Sequence, residues 1–189
     1  IASLLAKLGT SDNVEIRPSL EVLSEEFSFD KIGRAPARFD EEDLLKLNSN
    51  LVSEMSYAEA KAALDHALEG AECPDPEFFW ETVKGNVSTV SEAGMWAKTL
   101  FGEIEAQDLP EDQDYLKAAL GSLPSGEYDL ETWGAWTNAL KAETGRKGRG
   151  LFMPLRLALT GEGRGPEMNR VLVLLGEARA KARLEKAIS

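Results

Sequence analysis

Residues Gly145–Met168 read GRKGRGLFMPLRLALTGEGRGPEM, and nowhere else in the chain do positive charge, glycine and helix-boundary signals coincide so closely. Arg146, Lys147, Arg149, Arg156 and Arg164 lie among Gly145, Gly148, Gly150, Gly161, Gly163 and Gly165. Proline suits the first helical turn, where its missing N–H has no partner to lose, and glycine suits the stop. That predicts a short helix over Pro154–Thr160, ended by Gly161. Leu155, Ala158 and Leu159 follow the i, i+3, i+4 spacing of a buried stripe. Arg156 and Thr160, four apart, share the opposite face. A second helix is expected from Pro166. The stretch therefore reads as a packed helix that presents one arginine, between basic loops whose glycines let a ligand approach the backbone.

Outward from there the chain continues as helices joined by short loops. Ala2–Leu8 stops at Gly9, and Ser19–Glu26 follows a Pro-Ser start. Asp40 is the expected N-cap of a helix with Glu41, Glu42 and Asp43 in its first turn, where negative charge suits the helix dipole. Leu44, Leu47, Leu51 and Met55 are its expected buried stripe. Helices are expected over Ala58–Leu68, Pro76–Lys84 (after the Asp75 cap), Ser91–Ile104, Asp112–Leu120, Leu130–Thr144, Pro166–Leu175 and Glu177–Ile188. No stretch sustains the period-two alternation of a half-buried strand, so no sheet is expected. The helical periods describe an all-α, irregular helical bundle. The polar run Glu69–Asp75 is the main expected break, separating 1–70 from 71–189; Ser122–Tyr128 is a second.

Composition narrows the function. A chain of 189 residues supports one sizeable domain or two small ones. It begins at Ile1, as a truncated or processed chain would. Cys73 is the sole cysteine, which leaves no internal disulfide and fits a reducing compartment. No apolar run is long enough to span a membrane. Net charge is −12, but residues 141–189 hold eleven Lys and Arg against five Asp and Glu, a local +6 against −18 for the rest. A phosphate-binding face needs local positive potential, not a basic whole. GRKGRG lacks the GxxxxGK[ST] pattern of a nucleotide-binding loop. His66 has no second histidine to share a metal or proton relay, so it reads as a surface residue, and no metal site or catalytic residue is expected. Glu25–Glu26 and Glu41–Asp43 read as solvated helix starts. Trp80, Trp96, Trp133 and Trp136 read as core.

The wording of Gly145–Met168 resembles a run near the C-terminus of bacterial glutamyl-tRNA synthetases, "GxKGKxLFMPLRxALTGxxHGPEL". Arg164 stands where many members have histidine. Ile32–Asn48, IGRAPARFDEEDLLKLN, is similar to the family's "SPAxFDxxKLxWLN", and Lys84–Glu92, KGNVSTVSE, is a third match in the same order. The family's HIGH-like and KMSKS-like ATP-binding signatures do not occur. The resemblance implies the C-terminal anticodon-binding part of a glutamate–tRNA ligase, folded as the family's all-helical cage. Residues 1–70 would then be a linker and stem-contact subdomain, and 71–189 the anticodon-binding subdomain. By itself such a part is inactive and holds no cofactor, ATP and Mg belonging to the absent catalytic half.

The resemblance implies that Arg156, Thr160, Gly165, Pro166 and Met168 contact the anticodon of tRNA-Glu. Unpaired bases expose their Watson–Crick edges, and arginine offers a planar fork of donors. Arg146, Lys147, Arg149 and Arg164, with Arg179, Lys181 and Arg183 of the last helix, are expected on phosphates, which set orientation without reading sequence. The expected partner is tRNA-Glu, with no DNA or membrane, for a monomeric, cytoplasmic protein. A base-reading arginine of the family falls near Lys84–Asn86, where this chain has none. On the residues alone, Arg156 either reads a ligand or bridges an acidic partner. A helical protein-interaction adaptor without RNA binding is the alternative, and an enzyme with an unrecognised site a third reading.

Overall fold

Capping side chains, prolines and glycines cut the chain into ten α-helices among the residues described by the computed structural model, 2–12, 14–17, 19–33, 41–105 and 107–188. They are α1 (Ala2–Lys7), α2 (Leu20–Glu26), α3 (Glu41–Glu54), α4 (Tyr57–Ala67), α5 (Pro76–Val83), α6 (Ala93–Phe101), α7 (Gln113–Gly121), α8 (Thr132–Thr144), α9 (Arg149–Thr160) and α10 (Met168–Ile188). No strand occurs among the described residues; one isolated antiparallel bridge joins Thr10 to Ile32. The fold is all-α. Several starts are as the sequence marks them. Ser19 caps α2, and the Asp75 carboxylate accepts the Phe78 N–H at the head of α5. At α4, outside those marked starts, Ser56 and Glu59 form a capping box. The expected Asp40 cap lies outside the described residues.

One hydrophobic cluster runs from Val52 to Ala187, with Trp80, Trp136, Phe79, Leu116, Leu155 and Leu172 at its heart. It is continuous across residue 70, because α4 packs on both α5 and α6. The hub is α10, which touches α5, α6, α7, α8 and α9. Before Gly176, α10 buries Val171, Leu172, Leu174 and Leu175; beyond it Ala180, Leu184 and Ala187 are buried at i, i+4 and i+7, with Lys181, Ala182, Glu185 and Lys186 exposed on the other side. Between those groups Gly176 leaves the helical region (φ 65°, ψ 173°) and kinks the rod. Only glycine adopts that angle without strain, which is why the sequence reads as two helices there.

Four expectations are corrected. Helix α9 starts at Arg149, five residues before Pro154, which sits inside it. Proline there has no N–H to offer the Gly150 carbonyl; the Arg146 guanidinium donates to that oxygen instead, at 3.3 Å. Helix α6 ends at Phe101, not Ile104, because Gly102 is extended. In α3, Val52 is buried and Leu51 is 43 % exposed. The helix is rotated by its contact with the segment after α5, where Asn48 donates to the Ser88 carbonyl and the Ser49 and Ser88 hydroxyls are 2.9 Å apart. Finally, Glu26 is no solvated helix start. It closes α2 and accepts from Lys7 at 2.7 Å and from Arg17 at 2.6 Å.

Candidate nucleic-acid interface

The C-terminal end of α9 and the loop that follows form the site. Leu155, Ala158 and Leu159 are buried, as their spacing requires, and this leaves Arg156 half-buried on the outward side. Its Nη2 donates to the Pro166 carbonyl at 2.8 Å. Its Nη1 is buried and has no hydrogen-bond partner among the described residues. Burial lowers the pKa of the group, yet arginine keeps its charge. An unpaired buried donor costs roughly 1–3 kcal/mol, so such groups are rare unless they serve a purpose.

A second unpartnered buried donor belongs to a residue that touches the same loop. Trp96 of α6 is 5 % exposed, and its Nε1 finds no acceptor among the described residues. The outer edge of its six-membered ring abuts Gly165, where a Cβ would meet Cη2 at 2.1 Å and where φ is +144°. Only glycine fits both the angle and the space. Trp96 thus fixes the Gly165–Pro166 backbone, and that backbone holds Arg156. Trp96 reads in the sequence as core, which it is. Its bearing on the site is a contact between residues far apart in the chain, and no local signal announces it.

The other expected site residues fall in different places. Thr160 is 2 % exposed. Its hydroxyl donates to the Arg156 carbonyl at 2.7 Å and accepts the Glu162 N–H at 3.1 Å, locking the end of α9 rather than facing outward beside Arg156. Met168 has its side chain in the core, so what it offers outside is backbone at the head of α10. First-turn N–H groups have no partner within their own helix and favour acceptors and anions. Arg146 is engaged three times over. It pairs with Asp112, lies 4.4 Å from the centre of the Tyr115 ring, and donates to Gly150. Lys147, Arg149 and Arg164 are exposed and make no ion pair among the described residues, although Glu162 and Glu167 flank Arg164.

On the last helix, Arg183 cannot meet a phosphate. It is 7 % exposed and donates to the carbonyls of Leu159, Thr99, Leu100 and Gly102. It caps the C-terminal ends of α9 and α6 together, the place where a helix dipole favours a cation. Arg179 leans on the Phe101 ring at 5.6 Å, and Lys181 is exposed. No three His, Cys, Asp or Glu side chains converge as metal ligands among the described residues. His66 is 82 % exposed, 2.9 Å from Glu69. No helix of the described residues is long and apolar enough to cross a membrane.

The arrangement is a guanidinium held on a backbone carbonyl, a backbone seated against an indole, and exposed cations alongside. The family model described as "Anticodon binding domain" matches residues 49–188. Glutamate–tRNA ligase 2 of Hyphomonas neptunium is 50 % identical over 184 residues, which cover 97 % of this chain and 41 % of that protein. Glutamate–tRNA ligase 1 of Maricaulis maris is 46 % identical over 97 % of this chain and 40 % of its own length. A crystal structure of a glutamate tRNA ligase from Elizabethkingia meningosepticum, in complex with its amino acid, superposes with a TM-score of 0.77 at 25 % identity, covering 96 % of this chain and 38 % of that one. The chain spans about two fifths of the length of the curated relatives it matches. With the matched model covering α4 to α10, the chain belongs to the anticodon-binding domain family, in the form carried by proteins similar to glutamate–tRNA ligases.

Proposed function

We propose that this chain binds the anticodon arm of tRNA-Glu, and that Arg156, the Gly165–Pro166 backbone and the head of α10 at Met168 read its unpaired bases. The observation that carries the reading is Arg156 itself, a guanidinium anchored by Nη2 on Pro166 while Nη1 is left without a partner. The carbonyl and ring-nitrogen acceptors of a splayed pyrimidine are what such a fork accommodates. Lys147, Arg149 and Arg164 meet phosphates and set the register, with Arg146 supporting them through its hold on the head of α9. Residues 1–70 serve as the linker and stem-contact part, and 71–189 carry the anticodon contacts. The longer protein couples this recognition to ATP-dependent glutamylation, with ATP and Mg held outside the present residues. The chain has no catalytic role of its own and acts in the cytoplasm as part of a monomer, without DNA or membrane partners.

Binding of tRNA-Glu transcripts, with the native anticodon and with single anticodon changes, tests the reading at two salt concentrations. Arg156→Ala should cost about 1–3 kcal/mol on the native transcript and much less on the one whose contacted base is changed. Arg156→Lys should not restore the difference, because an ammonium lacks the planar fork. Lys147→Ala and Arg149→Ala should weaken every transcript alike and reduce the salt slope by about one each. Equal loss on all transcripts for Arg156→Ala would mean a phosphate contact or a structural role, and the reading fails.

A further inference from the structure

Phe152 shares a face of α9 with Arg156, one turn earlier, and Arg149 precedes it on the same stripe. Cation, ring and cation follow one another at i, i+3 and i+7. Single exposed phenylalanines are ordinary on protein surfaces. This one, 43 % exposed, is backed by another aromatic ring. Trp133 of α8, half-buried, lies 6.3 Å from it between ring centres at an interplanar angle of 33°. Trp133 is held edge-on by Trp136 at 5.7 Å and 76°. Trp136 is buried and anchored by its Nε1 on the Ala119 carbonyl at 3.2 Å. The outer ring therefore rests on a stiff aromatic wall instead of swinging free. Around it lie glycines, Gly148 and Gly150, and the exposed Lys147 and Arg149, neither of which has an ion-pair partner among the described residues.

A π face beside unpaired cations is the chemistry that holds single-stranded nucleic acid, where bases stack on rings and phosphates meet the charges. An apolar protein partner would bury Phe152 only by also desolvating those two cations, which is costly unless each is paired. We propose that Phe152, backed by Trp133, is a stacking platform for an unpaired nucleotide beside the base read by Arg156, with Lys147 and Arg149 on its phosphates. Phe152 and Arg156 are four helical positions apart, about 6 Å along the axis, so a neighbouring nucleotide of the same loop occupies the platform. This inference rests on the RNA-binding reading above.

The test uses the full chain and an RNA hairpin carrying the anticodon arm of tRNA-Glu. The hairpin is made both intact and with an abasic nucleotide at each loop position in turn. Phe152→Ala should weaken the intact hairpin about five- to 150-fold, the range of one lost base–aromatic stack. Phe152→Leu should lose nearly as much while keeping the apolar contact with Trp133, and Phe152→Trp should bind as the wild type does. Thermal melting establishes that each variant is folded. At one loop position the abasic hairpin should bind wild type and Phe152→Ala equally, and that position should differ from the one at which Arg156→Ala loses its discrimination. Phe152→Leu binding as tightly as wild type overturns the platform. So does a Phe152→Ala loss that persists on every abasic hairpin. If Phe152→Ala abolishes a concentration-dependent self-association and leaves RNA affinity intact, the patch is a protein contact and the inference falls. When Arg156 variants lose discrimination but Phe152 variants bind normally, this inference alone fails; when the wild type binds no RNA, both fail.

Discussion

Arg156 and Arg183 are both drawn out of water, and the difference between them lies in what replaces it. Arg183 has four carbonyl oxygens from the last turns of two helices, whereas Arg156 has one carbonyl and a nitrogen left over. Burial pulls down the pKa of each, but only Arg183 has the acceptors that stabilise its charge. Arg183→Met should therefore lower the free energy of unfolding, by about 1–3 kcal/mol for the acceptors it orphans. RNA binding by the folded variant should keep its salt slope. Urea unfolding and a salt series measure the two effects separately, and a slope reduced by one charge would restore Arg183 to the phosphate contacts. Sequence cannot separate these arginines, because both stand on helices near basic neighbours. Depth is a property of the packed molecule.

At the scale of elements, α9 is placed by Tyr115 of α7, whose hydroxyl donates to the Leu151 carbonyl at 2.6 Å. Burial pushes the Tyr115 phenol up to about 12, with the Arg146 guanidinium working in the opposite direction. The sign follows from which form the fold prefers. The neutral phenol is favoured in the folded state, so its folded pKa exceeds the unfolded value. Its contribution is complete below about pH 10 and is lost as pH rises through about 12. Tyr115→Phe should be less stable at neutral pH by about 1 kcal/mol, the usual worth of one hydrogen bond, and should lose less stability than wild type between those two pH values. Urea midpoints across that range check it; parallel curves would mean that the phenol titrates as if exposed. Tyr128, also raised to about 12 by burial, leaves a residual alkaline loss in the variant. The contact that seats α9 spans 36 residues, and nothing near either end of it foretells the pairing.

The molecule as a whole has an uneven core. The main cluster begins at Val52, while Leu4 and Leu23 are buried outside it. Residues 2–33 lean on ion pairs instead, Lys7 with Asp12 and Glu26, Lys31 with Asp12, and Arg17 with Glu26. Hydrogen bonds from Lys31 and Lys7 hold Asp12 below its ordinary pKa, and those from Lys7 and Arg17 do the same for Glu26. A lowered folded pKa contributes stability above the unfolded value and loses it as pH falls through the folded one. Lys7, raised mainly by Glu26, keeps its contribution until strongly alkaline pH. Amide exchange, corrected for intrinsic rates, should show protection of α1 and α2 lost in acid below about pH 4 while α5 to α10 stay protected. Simultaneous loss in both regions would mean that one cooperative unit includes the ion pairs.

What the chain's wording determined on its own was the helical class, most helix boundaries, and the loop and arginine at the centre of the site. Caps, glycine stops and i, i+3, i+4 stripes are local chemistry, and local chemistry is written in neighbouring residues. The start of α9 escaped it because Pro154 sits inside the helix, where the Gly150 carbonyl it leaves open accepts from Arg146, a partner outside the helix. The rest was decided by packing. Tertiary contact made Arg183 a double cap, set Trp96 against Gly165 and left Phe152 an exposed ring on an aromatic wall. Each of those roles depends on which groups meet across the core and how far each lies from water, and a one-dimensional pattern carries neither quantity.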